Sequence, residues 1–203
     1  HIEQAPSARY FTVTLSMQEP LFEDQRVRYA MSYAIDKEAL VQACFGDGAE
    51  VLKGMYSPTV FGYKEIGLMP YDLEEAKRLM AEAGYEDGFE IELHVIPTQE
   101  FQRLAEVIQE MWSQINITAN IVTVDLATYE AQNGGKWQAA IRDGSATEPS
   151  NILIIYDSSF GSRLQGNNPE IDEMLATAKT IYDDTERAAY YGEIQQYLYD
   201  LRY

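Results

Sequence analysis

Cysteine is nearly missing from this chain: Cys44 is the only one in 203 residues. One thiol excludes an internal disulfide and a thiolate zinc cluster. At a position flanked by Val41 and Phe45 it is expected to act as a small buried hydrophobe. Histidine is almost as scarce, with only His1 and His94. Basic residues are few, 15 against 33 acidic ones, for a formal charge of −18. So negative a surface repels phosphate backbones and anionic lipid, which argues against nucleic-acid binding. No apolar run approaches the ~18 residues needed to cross a bilayer. The stretch from His1 to Pro6 has no charged-then-apolar order, so no secretion signal is expected within it.

The familiar catalytic strings are also missing. There is no G-x-S-x-G elbow, no G-x-x-x-x-G-K phosphate loop and no G-x-G-x-x-G. Gly46-Asp47-Gly48 supplies half of the last and follows a helical pattern instead of a strand. Asp143-Gly144-Ser145 with Glu148 has oxygen ligands without the twelve-residue calcium spacing, so no metal and no cofactor are expected. Acidic pairs such as Glu74-Glu75 carry little information in a chain this negative. A hydrolase using Asp143 and Glu148 is the remaining enzymatic option, and the reading here is against an enzyme.

What is present is an ordinary folded composition, 46% hydrophobic and 24% charged, too apolar for disorder. Phe89, Ile91, Leu93 and Val95 alternate with Glu90, Glu92 and His94, which predicts a strand with His94 facing outward. From Phe101 the apolar residues fall at Leu104, Ile108, Met111, Trp112 and Ile115, a helical spacing that Asn116 ends. Residues 117–124 are β-branched enough to predict the next strand, so this unit is expected to be a right-handed βαβ crossover with parallel strands. Asp72 and Glu75 open a helix that Gly84 closes. Another helical stretch runs from Asp24 to Phe45, with Asp36 capping a second segment.

Residues 46–70 hold five of the thirteen glycines plus Pro58 and Pro70, and read as a long irregular loop. Downstream, residues 137–141 predict a short strand, 142–151 a polar loop and 152–156 a second short strand. Two helices follow, one from Asn168-Pro169 with Ile171, Met174, Leu175, Ala178 and Ile181 inward. The other starts at Asp183 and Glu186 with Tyr190, Ile194, Tyr197, Leu198 and Leu201 inward. That pattern runs to Tyr203 without a cap, the expectation for a piece of a longer protein. The whole of 1–203 reads as one α/β lobe with a mostly parallel sheet flanked by helices. Fifteen tyrosines are available, and Tyr56, Tyr63 and Tyr129 fall in predicted loops where they suit small-solute recognition.

The order of motifs resembles a known family. Pro20-Leu21-Phe22-Glu23-Asp24-Gln25-Arg26-Val27-Arg28 running on to Ala34-Ile35-Asp36-Lys37 is similar to a segment of the peptide- and nickel-binding solute-binding proteins of ABC importers. Tyr71-Asp72, Ala76-Lys77, Glu82-Ala83-Gly84-Tyr85 and Gly88-Phe89 match a second segment. Asn168-Pro169-Glu170-Ile171-Asp172 and Arg187 match a third, so the likeness covers about residues 16–200.

The resemblance implies one lobe, the later one, of a two-lobed protein with the type II periplasmic-binding-protein fold. A small solute, an oligopeptide or a nickel complex or sugar, would lie between the lobes and be buried by hinge closure. Contacts are then expected from the carboxyl ends of the parallel strands, residues 97–100, 125–129 and 142–151. The candidate ligand-binding residues are Arg142, Asp143, Ser145, Thr147, Glu148, Asn151 and Tyr129. The family's aspartate for a peptide's α-amino group falls on Ala146 or Thr147 here, and Glu148-Pro149 matches the end of that motif. The implied partners are the missing first lobe and a membrane permease. The implied location is extracytoplasmic, either periplasmic or as a surface lipoprotein. A ligand-sensing lobe of a transcriptional regulator is the alternative with the same fold.

Overall fold

The structure is a computed structural model of the chain, described here for residues 7–131, 137–145, 147–160 and 168–201. A four-stranded sheet carries it, with strands β1 (Arg9–Leu15), β2 (Phe89–Val95), β3 (Ile117–Thr123) and β4 (Ala139–Ser145) in the order β1-β4-β2-β3. β2 is parallel to β3 and to β4, while β1 runs antiparallel to β4 at the edge.

The helices begin where side-chain oxygens can take the first free backbone N–H groups. Asp24 accepts from Arg26 to open α1 (Gln25–Tyr33), and Asp36 accepts from Ala39 to open α2 (Lys37–Phe45). Asp72 does the same for α3 (Leu73–Glu82), and Gly84 at φ +84° forms the left-handed turn beyond it. Thr98 caps α4 (Gln99–Ser113), which crosses from β2 to β3 as the periodicity predicts. α5 (Leu126–Ala131) and α6 (Pro149–Leu153) are short. α7 (Pro169–Ala178) is capped by Asn168, and Asp183 accepts from Glu186 in the first turn of α8 (Asp184–Leu201).

Two main hydrophobic cores result. One face of the sheet contributes Leu15, Ile91, Leu93, Val95, Ala139 and Ile141, and packs on Phe101, Leu104, Ile108 and Trp112 of α4 together with α1 and α3. The second core joins Tyr56 and Val60 to Ile152, Leu153, Ile171, Leu175, Tyr191, Ile194 and Leu198. A small third cluster, Tyr129, Trp137 and Ala140, lies on the other face of the sheet.

Several sequence expectations are corrected. Residues 152–156 are helical and not a strand: Ile152, Leu153 and Tyr156 are buried one and four positions apart, the spacing of a helical face. Residues 142–145 are not loop but the end of β4, because β1 supplies their ladder partners. β1 itself was not anticipated. His94 does not face solvent: it is 5% exposed, and its register partner Ala140 belongs to the third cluster. On α8 Tyr191 is buried as well, while Tyr190 is half-buried against the second core. Cys44 is only half-buried, against the first core. Residues 49–72 form no helix or strand, yet Tyr56 is 0% exposed, so this segment is packed and not a bare loop.

Candidate functional site

A parallel sheet brings the carboxyl ends of its strands to one edge, where the chain must leave the ladder and expose backbone and polar side chains. Here β2, β3 and β4 all end at that edge, followed by residues 96–98, by 124–125 and by 147–148. Running the other way, β1 begins there, so Arg9 stands opposite Ser145 in the ladder.

The alternation of β4 divides the candidate residues between two faces. Asp143 and Ser145 share the face of Phe11 and α4, whereas Arg142 lies on the opposite face. Around Arg142 are the hydroxyls of Tyr129, Tyr10 and Tyr156, whose ionisation burial opposes and its charge favours. Ser145, Thr147, Glu148 and Asn151 are exposed. The Thr147 carbonyl accepts from Phe61 N–H at 3.4 Å, which ties the irregular segment to this edge. Ala146, one of the two positions for the amino-group anchor, lies outside the described residues.

Asp143 is engaged. Arg9 Nε donates to its Oδ2 at 3.0 Å, while Nη1 and Nη2 of Arg9 donate to Glu100 at 3.3 and 2.8 Å. The guanidinium also lies over the Phe11 ring, 4.6 Å from its centre. Hydrogen bonds to Glu100 hold the Arg9 pKa above its ordinary value. Asp125, at the end of β3, is likewise used within its own turn. Its carboxylate accepts from Thr128 N–H at 2.9 Å and Thr128 Oγ1 at 2.7 Å, which hold its pKa below the usual carboxylate range.

Tyr129 is on α5 and not on a loop, and is 7% exposed. Its hydroxyl donates to the Ile141 carbonyl at 2.7 Å, and burial pushes its pKa up to about 12. It ties α5 to β4 and offers no surface to a solute. Tyr56 is equally enclosed, donating to the Gly62 carbonyl at 3.3 Å. Asn151 borders a recess of about 120 Å³ that is also lined by the Lys179–Asp157 ion pair at 3.6 Å. Among the described residues no group of three or more His, Cys, Asp or Glu side chains could hold a metal ion. Nor is any described helix long and apolar enough to cross a membrane.

Arg9 was missed by the sequence reading. Nothing local marks it, since its partner Asp143 is 134 positions away.

The frame is a four-stranded mixed sheet flanked by helices, with exposed polar side chains gathered at the carboxyl ends of its parallel strands. Residues 1–163 match the family described as bacterial extracellular solute-binding proteins, family 5 (middle), and the chain belongs to that family. Its members are extracytoplasmic solute-binding proteins of ABC transporters and are not enzymes. The chain is 32% identical to "Heme-binding protein A" of Haemophilus influenzae over 196 residues, 90% of this chain and 36% of that protein. It is 27% identical to "Dipeptide-binding protein" of Escherichia coli, covering 98% of this chain and 40% of the relative. Among solved structures, the periplasmic binding protein DppA from Helicobacter pylori in complex with peptide STSA superposes with a TM-score of 0.89 at 25% identity, over 98% of this chain and 41% of that one. HbpA2 from Haemophilus parasuis gives 0.88 at 27% identity, over 96% and 41%. The fold is thus the type II periplasmic-binding-protein lobe, and the chain spans about two-fifths of the length of such relatives.

Proposed function

We propose that this chain is a single lobe of a two-lobed solute-capture protein, holding an oligopeptide or similar small solute for an ABC importer by hinge closure. The observation that carries the reading is the meeting of three strand ends at one edge, with Ser145, Thr147 and Glu148 exposed there. Such a rim offers hydroxyl and carboxylate groups to a solute, and closure of a facing lobe removes water from them. Related proteins named for a dipeptide and solved with a peptide support that solute class. Ser145, Thr147, Glu148 and Asn151 are the contact residues in this reading. Tyr129 and Arg142 support the edge from the other face. The partners are the absent first lobe and a membrane permease, and the site works outside the cytoplasm, free in a periplasm or on a lipid anchor.

Calorimetry on the full-length protein with a dipeptide and tripeptide pool tests this. Micromolar binding that weakens at least about tenfold, some 1.4 kcal/mol, in the triple variant Ser145→Ala, Thr147→Ala, Glu148→Ala is the expected result. Peptide affinity untouched by that variant would place the solute elsewhere.

A further inference from the structure

Gln195 is 0% exposed on α8, between the second-core residues Ile194 and Leu198. A buried amide is costly unless it is hydrogen-bonded, and this one finds partners outside its own helix. Nε2 donates to the Gly62 carbonyl at 2.7 Å and to the Tyr191 carbonyl, one turn back, at 3.1 Å. Oε1 accepts from Lys64 N–H at 3.4 Å. Gly62 and Lys64 belong to the segment without helix or strand, whose backbone groups need partners from elsewhere. Gln195 supplies them.

The segment is pressed close to α8. Gly62 stands at φ +67°, where a Cβ would come within 3.1 Å of Tyr191 Cβ, and a Cβ on Gly192 would stand 3.2 Å from the Lys64 side chain. The Arg187 guanidinium lies 4.9 Å from the centre of the Phe61 ring. From this strap one bond reaches the strand ends, Phe61 N–H to the Thr147 carbonyl at 3.4 Å. β4 has already ended at Ser145, so its ladder does not hold Thr147. The same helix meets the next turn as well, because Tyr191 brings its hydroxyl to the Ser150 side chain in α6.

We infer that Gln195 is a positioning residue for the polar rim: it fixes residues 61–64 on α8, and through Phe61 it sets where Thr147 and Glu148 stand at the strand ends. The inference rests on the solute-capture reading above, in which Thr147 and Glu148 touch the solute; Gln195 is buried and acts through them. Contact residues work only when the groups behind them hold them in place, and a support that loosens by about an ångström degrades the site.

The test pairs calorimetry on the full-length protein, with the dipeptide and tripeptide pool, with hydrogen exchange read by mass spectrometry over residues 60–64 and 147–151. Gln195→Met keeps the length of the side chain and removes its amide. Gly62→Ala dislodges the strap from the other side and is the second variant should the first fold poorly. Either is expected to speed exchange in both stretches and to weaken peptide binding about tenfold. Ile171→Val, a small loss in the same core but on α7, is expected to lower the thermal midpoint and keep affinity within about twofold of wild type. Unaltered exchange at 147–151 overturns the inference, and so does affinity within about twofold of wild type once the strap is loosened. An equal loss of affinity in Ile171→Val also overturns it, since the effect is then one of stability alone. A wild type that binds no peptide in the pool overturns the peptide reading itself, and the inference falls with it.

Discussion

Gly88 and Asn116 lie against each other at the amino ends of the parallel strands β2 and β3, both with left-handed backbones, φ +77° and +62°. A Cβ on Gly88 would collide with the Asn116 carbonyl, and the Asn116 side chain donates to the Glu86 carbonyl at 3.0 Å. The two turns that launch the strands are thus locked together, and only glycine fits on one side. Gly88→Ala forces a side chain into an unfavourable φ and a backbone clash at once, and should destabilise by about 3 kcal/mol. Asn116→Gly, which relieves strain while losing one hydrogen bond, should stay within about 1 kcal/mol of wild type. Thermal unfolding followed by circular dichroism distinguishes the two.

Arg28 joins the first core to the end of α8. It is 5% exposed and donates to the carbonyls of Phe22 and Glu23 and, at 3.0 and 2.8 Å, of Leu201. A cation at a helix carboxyl end also meets its dipole favourably. Arg28→Met leaves those carbonyls without their charged donor and should cost about 3 kcal/mol in urea unfolding, with α8 amides losing hydrogen-exchange protection first.

Tyr129→Phe removes one buried hydrogen bond and should destabilise by about 1 kcal/mol while leaving solute affinity unchanged. The phenol's pKa rises to about 12 from 10.0 because burial disfavours the phenolate. Between those values the unfolded chain has lost the proton and the folded one keeps it, so stability falls as pH climbs through that window. Alkaline unfolding should begin about one pH unit higher in the Phe variant, read by tryptophan fluorescence.

His94 works in the opposite direction. Burial lowers its pKa from 6.5, only partly offset by Glu92, whose carboxylate is 3.7 Å from Nε2. The folded state therefore binds its proton less readily than the unfolded chain, and stability present above pH 6.5 is lost as pH falls below it. His94→Leu should flatten the stability profile below pH 6.5, measured by denaturant midpoints at each pH.

The βαβ unit and the helix caps were legible because their signals are local. Asp24, Asp36, Asp72 and Asn168 each satisfy an N–H two or three positions ahead. β1 carries strand periodicity in Phe11, Val13 and Leu15, but no period names the neighbour of a strand, and its partner lies about 130 positions on. Residues 152–156 misled because a short apolar run of Ile, Leu and Tyr is compatible with strand or helix, and burial against α7 and α8 chose the helix. Of the candidate site, the segment following β4 was placed at the correct end of the sheet. The division of Arg142 from Asp143 and Ser145 across two faces depended on where β4 ends, which β1 decides.

By itself the sequence determined the longer helices, most of their caps and the parallel crossover, since these follow from contacts between residues a few positions apart and from period alone. Only the tertiary structure decided which polar side chains remain open to a solute. Pairing Arg9 with Asp143 and burying the Tyr129 hydroxyl against the Ile141 carbonyl both require chain segments to meet in a folded sheet, and the charge left at its edge is what remains after those meetings.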